Sequence, residues 1–111
     1  MHHSVAERLV VASSGTQYSE AVSMEGANAV YYDLVVYNIG TLASVKSRIQ
    51  ESDDLDNWYE VADSADNTVF VAGYSAKRVT SITSAYVRLR FTGGSGSGNA
   101  ILGAGINTAS L

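Results

Sequence analysis

Two stretches of this chain alternate apolar and polar residues with a period of two, a pattern that fits a strand and not a helix. In Ala85-Tyr86-Val87-Arg88-Leu89-Arg90-Phe91, one side carries Ala85, Val87, Leu89 and Phe91, and the other carries Tyr86, Arg88 and Arg90. Ala43 to Glu51 repeats the pattern, with Ala43, Val45 and Ile49 set against Ser44, Lys46, Arg48 and Gln50. Helical winding would scatter these charges around the axis. A chain built this way folds as sheets with one face buried.

Ala29 to Asn38 (AVYYDLVVYN) is β-branched and aromatic on both faces except for Asp33, as a central strand covered on both sides reads. Val30, Tyr32, Leu34 and Val36 are its core set, so Tyr31, Val35 and Tyr37 need a second covering surface, such as a neighbouring subunit. Weaker strands are expected at Arg8–Ala12, Gln17–Met24, Trp58–Val61, Thr68–Ala72, Arg78–Ile82 and Ala100–Asn107. Breakers separate them at Ser13-Ser14-Gly15, Glu25-Gly26, Gly40, Asp53 to Asn57, Asp63 to Asn67, Gly73 and Gly93 to Asn99. No segment combines a helix cap with an apolar stripe. Eight or nine strands at this spacing predict an all-β, antiparallel, jelly-roll-like sandwich over residues 8–111, with residues 1–7 as a disordered arm.

Composition narrows the function. A length of 111 residues suits one core, and with 46% apolar and 16% charged residues the chain is not disordered. So few charges leave much of the surface to Ser, Thr, Asn, Gly, Tyr and Ala, which is typical of β proteins and also of a chain that lies against neighbours. The formal charge of −4 argues against a nucleic-acid partner, which would require a basic footprint. No apolar run approaches a membrane span, and the N-terminus lacks a secretion signal's layout. Without Cys, neither disulfides nor thiolate metal sites are available.

Chemistry-bearing clusters are sparse. Both histidines fall in the first three residues, leaving none in the body to activate a serine, so no catalytic residue is assigned and an enzyme is not expected. Glu51 to Asp66 holds seven carboxylates: Glu51, Asp53, Asp54, Asp56, Glu60, Asp63 and Asp66. An EF-hand reading fails because Tyr59 stands where the loop Gly belongs and the flanks are strands; a calcium site between loops stays open, with a solvated turn preferred. Trp58 reads either as a sugar-stacking platform with Tyr59 or as an anchor for the turn, the second preferred. Gly93-Gly94-Ser95-Gly96-Ser97-Gly98 reads as a flexible hairpin loop, since a phosphate loop would lead into a helix. Lys46, Arg48, Arg88 and Arg90 form a basic stripe if their strands are neighbours. That stripe either meets the acidic turn of another copy or stays solvated.

From Val30 to Asn107 the layout resembles the small β-sandwich virion proteins of tailed phages and prophages. The residues that carry this are Arg48-Ile49-Gln50-Glu51-Ser52-Asp53-Asp54, then Trp58-Tyr59-Glu60-Val61, then Tyr86-Val87-Arg88-Leu89, a Gly/Ser loop and a Gly/Ala-rich strand. The resemblance implies a capsid-decoration, head-fibre or tail-associated protein, located in the virion or in the host cytoplasm during assembly. Such a protein would be a homo-oligomer, with a trimer favoured, docked on a capsid or tail protein. The interface candidates are Tyr31, Tyr37, Tyr86, Arg88 and Arg90. Tyr86-Val87-Arg88-Leu89 also resembles discoidin-type carbohydrate-binding sandwiches, many of which carry a disulfide this chain cannot form. On that alternative Trp58, Tyr59, Asp53, Asp54 and Asp56 hold a glycan, with calcium as an aid. No cofactor is expected on either reading.

Overall fold

The computed structural model describes residues 2–61 and 67–110. Its strands are β1 (His2–Ala12), β2 (Thr16–Tyr18), β3 (Val22–Ser23), β4 (Ala29–Asn38), β5 (Val45–Ser52), β6 (Tyr59–Glu60), β7 (Asn67–Val69), β8 (Gly73–Val79), β9 (Tyr86–Gly93) and β10 (Asn99–Ala109). They build two antiparallel sheets: one ordered β1-β10-β4-β8, the other β2-β9-β5-β6, with β3 also on β9 and β7 also on β5. The expected antiparallel sandwich is present.

Period-two alternation decides which way each strand faces. On β9, Val87, Leu89 and Phe91 are fully buried, while Tyr86, Arg88 and Arg90 are half-exposed between them. β4 occupies the span read for it and buries Val30, Tyr32, Leu34 and Val36. These rows meet Val45 and Ile49 from β5 and Leu102 and Ile106 from β10 in one apolar cluster. Ala43 and Ala85, read as inward, are exposed because each precedes the first residue of its strand.

Three expectations on the strands change. Residues 2–7 are not an arm: β1 runs from His2 along β10, pairing His3 with Ile106 and Ser4 with Gly105, and Val5 is buried. Register shifts between Ser4 and Ala6 and between Ala6 and Leu9 break the alternation that would have announced this strand. Gln17–Met24 splits into β2 and β3 because Ser19 turns inward, its hydroxyl accepting from Leu89 N at 2.8 Å. Together with the other strands this makes ten. Finally, Gly73 does not break a strand but begins one, with φ at 147°, a value that L side chains rarely adopt. The strand read at Arg78–Ile82 therefore lies earlier, at β8. The breaker read at Asp63 to Asn67 falls mostly outside the described residues.

The Gly/Ser loop is held rather than loose. Gly94 N donates to Ser44 O (2.8 Å), and Ala43 N donates to Ser95 O (2.8 Å). The Thr41 hydroxyl donates to the Ser97 carbonyl. A Cβ on Gly96 would lie 2.4 Å from the Thr41 carbonyl oxygen, so glycine here reflects close approach of two backbones.

Phe91→Ala removes a fully buried ring from this core and should cost about 3–5 kcal/mol. Lys46→Ala, on the outer face, should stay within about 0.5 kcal/mol. Urea unfolding midpoints check both values.

Candidate functional site

The outer face of the β9–β5 sheet brings the predicted basic residues together and gives Arg48, Arg88 and Arg90 partners within the chain. β5 and β9 are neighbours, with Arg48 directly opposite Arg90 and Gln50 opposite Arg88. Two like charges so placed repel, and Glu60 of β6 stands against both. Its carboxylate accepts from Arg90 and lies 3.6 Å from Arg48 Nε. Arg88 is fixed more tightly still. Its guanidinium lies 4.0 Å from the Tyr18 ring centroid and 4.2 Å from that of Trp58, and its Nε donates to Gln50 Oε1 at 2.9 Å. Partial burial lowers the Arg88 pKa, with the Tyr18 hydroxyl opposing. Trp58 in turn donates from Nε1 to Leu55 O at 3.1 Å. Arg88, offered as an interface residue, is thus engaged within its own chain, and Trp58 anchors the turn with one ring face under Arg88. Tyr86, across from Ser52, is half-exposed beside this network.

The acidic turn is likewise turned on itself. Asp54 accepts from Asn57 N (2.8 Å), Asn57 Nδ2 (2.8 Å), Asp56 N (3.0 Å) and the buried Ser52 hydroxyl (3.0 Å). These bonds hold its carboxyl well below the usual carboxylate range, with the Asn57 backbone N–H contributing most. Asp53 accepts from Ala85 N at 3.0 Å. Glu51 is buried and accepts from Thr83 N (3.0 Å), Thr83 Oγ1 (3.2 Å) and Ser84 N (3.0 Å). Carboxylates that read as ligands or solvated charges are tethers pinning the 83–85 loop and their own turn. Asp56 is exposed at the turn's outer rim and Tyr59 is exposed beyond it. Asp63 and Asp66 fall outside the described residues. Among the described residues, no three His, Cys, Asp or Glu side chains cluster to hold a metal.

The outer face of the other sheet is open. Tyr31, Asp33, Val35 and Tyr37 stand along β4, with Gly105 and Ala76 flanking Asp33 on the neighbouring strands. Tyr31 and Tyr37 are 44% and 53% exposed, and Tyr74 of β8, opposite Val35, is 69% exposed. Along the glycines of β10 runs an open groove of about 520 Å³, bounded by Asp33, Val35 and Tyr37 on one side and Glu7 and Arg8 on the other. Tyr37 lies across Gly103, whose missing Cβ would sit 3.1 Å from the Tyr37 hydroxyl oxygen. The Arg8 guanidinium is 5.3 Å from the Tyr37 ring centroid. Arg78 NH1 donates to the Tyr31 hydroxyl at 3.2 Å, a bond that raises the Arg78 pKa further. In the link between β7 and β8, Phe70 and Val71 are 68% and 70% exposed.

The tyrosines of β4 were visible in the sequence as residues needing a cover. Glu7 and the groove floor were not, because the strand read at Arg8–Ala12 stopped short of the first half of β1; the Gly/Ala richness of β10 was the available signal.

Neither a protein-family model nor a curated protein matches the sequence. Among solved structures, the PBSX exported protein XepA superposes on 100% of this chain with a TM-score of 0.73 and 13% identity. The enzymatically active domain of bacteriophage CBA120 tailspike protein 4 superposes on 96% of it (0.63, 12%). The CBM22-1 xylan-binding domain of Paenibacillus barcinonensis Xyn10C superposes on all of it (0.50, 10%) and is itself covered to 94%. The chain spans 37% of XepA and 18% of the tailspike domain. Phage-derived proteins and carbohydrate-binding modules thus share this sandwich, and at such identities the likeness is one of fold.

Asp54→Asn tests the turn. Because its hydrogen bonds favour the charged form, Asp54 contributes stability that is whole above the ordinary pKa of 3.8 and is lost as pH falls below it. The variant and the native chain should therefore differ at neutral pH and converge in acid, as read by unfolding free energies across that range. Glu51→Ala, which removes the carboxylate that Thr83 N and Ser84 N donate to, should cost about 1.5–3 kcal/mol at neutral pH, checked by the same unfolding measurement.

Proposed function

We propose that this chain is a non-enzymatic structural module of a phage-type particle, one that self-associates and docks on a larger assembly through the open face of the β1-β10-β4-β8 sheet. The observation that supports this reading most is the inequality of the two outer faces. One sheet spends its arginines on Glu60, Gln50, Tyr18 and Trp58. The other leaves Tyr31, Tyr37 and Tyr74 exposed, and Phe70 and Val71, in the link that leads into β8 where Gly73 pairs with Val36, are exposed as well. Aromatic rings with polar tips, gathered on one face, suit burial against protein. The fold shared with phage-derived proteins agrees with this reading.

Light scattering on a sizing column should give a mass above that of one chain. Tyr37→Ala and Phe70→Ser, both at exposed positions, should lower the mass or abolish docking while leaving the thermal midpoint unchanged. A native chain that stays monomeric and binds no virion component overturns the proposal.

The groove along β10 favours a second reading, a carbohydrate-binding module. It offers an aromatic ring at Tyr37, carboxylates at Glu7 and Asp33 and a guanidinium at Arg8, a mixture suited to stacking and hydrogen-bonding a sugar chain. This site lies on the sheet opposite Trp58, so glycan binding would be sought by calorimetry rather than through tryptophan fluorescence. Saturable heat that disappears in Tyr37→Ala supports it, and none across a glycan panel removes it.

A further inference from the structure

We infer that two copies of this chain pair through β8, edge to edge and antiparallel, so that their open sheets join into one. The inference rests on the self-association proposed above and names its geometry. β8 is the last strand of its sheet, and among the described residues no strand lies beyond it. Such an edge is a template for another strand unless something blunts it. The opposite edge, β1, is blunted by two register shifts and by Arg8 at φ 45°. β8 has no register shift: its seven residues pair with β4 from Val30–Val79 to Val36–Gly73, and its unusual φ is confined to its first residue, Gly73. A lysine often guards an edge, but Lys77 sits on the inward side of β8, opposite the buried Tyr32, and is half-buried. The outward residues are Tyr74, Ala76 and Arg78, all exposed.

The sequence of the strand is self-complementary about Ala76. A two-fold axis there sets Ala76 against Ala76, small against small, and Tyr74 of each copy against Arg78 of the other. Arg78 already lies 5.8 Å from the Tyr31 ring centroid and donates to its hydroxyl. Tyr74 of the second copy would flank it from the open side, enclosing the guanidinium between two aromatic rings. The other sheet already uses this arrangement, with Arg88 between Tyr18 and Trp58. The occupant of the edge is therefore a second copy rather than an unrelated strand, because its own residues complete the pattern twice. A two-fold contact builds a dimer or an even-numbered assembly, in place of the trimer implied by the virion-protein resemblance.

The chain contains no cysteine, so a single introduced thiol reports its own surroundings. Ala76→Cys, mildly oxidised, should form a disulfide-linked dimer much faster than Lys46→Cys, which is exposed on the opposite sheet. Arg78→Glu should halve the solution mass with no loss of folded signal. If the native chain is oligomeric but Ala76→Cys links no faster than Lys46→Cys and Arg78→Glu leaves the mass unchanged, edge pairing is overturned while self-association stands. A closed odd-numbered ring has the same consequence. A monomeric native chain with no preferential linking removes both.

Discussion

Everything in this molecule depends on burying two inward rows of apolar side chains against each other. There is no disulfide and no proline to restrain the unfolded chain, so the entropy lost on folding is offset chiefly by that burial. Val87, Leu89 and Phe91 from one sheet and Val30, Leu34 and Leu102 from the other are fully buried. The alternation that makes this possible also fixes which residues face out, because slipping a strand by one residue would exchange its faces. Arg48, Arg88 and Arg90 project outward as a consequence of Ile49, Leu89 and Phe91 projecting inward.

Given that constraint, the outward residues meet one of two fates. Where the face is charged, the chain supplies its own partners: Glu60 between two arginines, and Gln50, Tyr18 and Trp58 around Arg88. Where the face is aromatic, small residues sit between the rings, opposite Asp33 and Val35. Gly103, Gly105 and Ala76 flank the outer row of β4 and leave the tyrosines standing above a hollow. The same device of small residues beside large ones packs a core when it faces in and shapes a binding surface when it faces out.

The legible part of the fold was the part with a strong local pattern. β5 and β9 could be read because apolar and polar residues alternate along them, and β4 because it is β-branched and aromatic on both faces. The first half of β1, before the strand read at Arg8–Ala12, was hidden by two register shifts, and most of β8 by a glycine that looks like punctuation but supplies an unusual backbone angle at the strand's first residue. The candidate sites followed the same division. That Arg90 shares its strand face with Tyr86, and Arg48 its own with Lys46, followed from spacing alone. That Glu60 neutralises them did not, since it depends on how β6 folds back on β5, pairing Gln50 with Glu60. The acidic run was visible as composition, but its role as a set of tethers needed the 83–85 loop to be placed beside it. Contacts that span 30 or more residues have no local signature.

The tethers also bear on why the aromatic face can remain open. A small sandwich could have been held together at its loops by covering its sheets with them. Here the loop before β9 is held end-on by Glu51 and Asp53, and the glycine loop before β10 by the 41–44 segment. Both attachments use backbone and carboxylate hydrogen bonds rather than apolar cover, so neither loop has to fold over Tyr31, Tyr37 or Tyr74. Hydrogen bonds to a charged carboxylate are each worth more than neutral ones, and a few are enough to order a short loop. The exposure of the tyrosines is therefore compatible with a stable monomeric fold, and it leaves that surface available to be buried by something else.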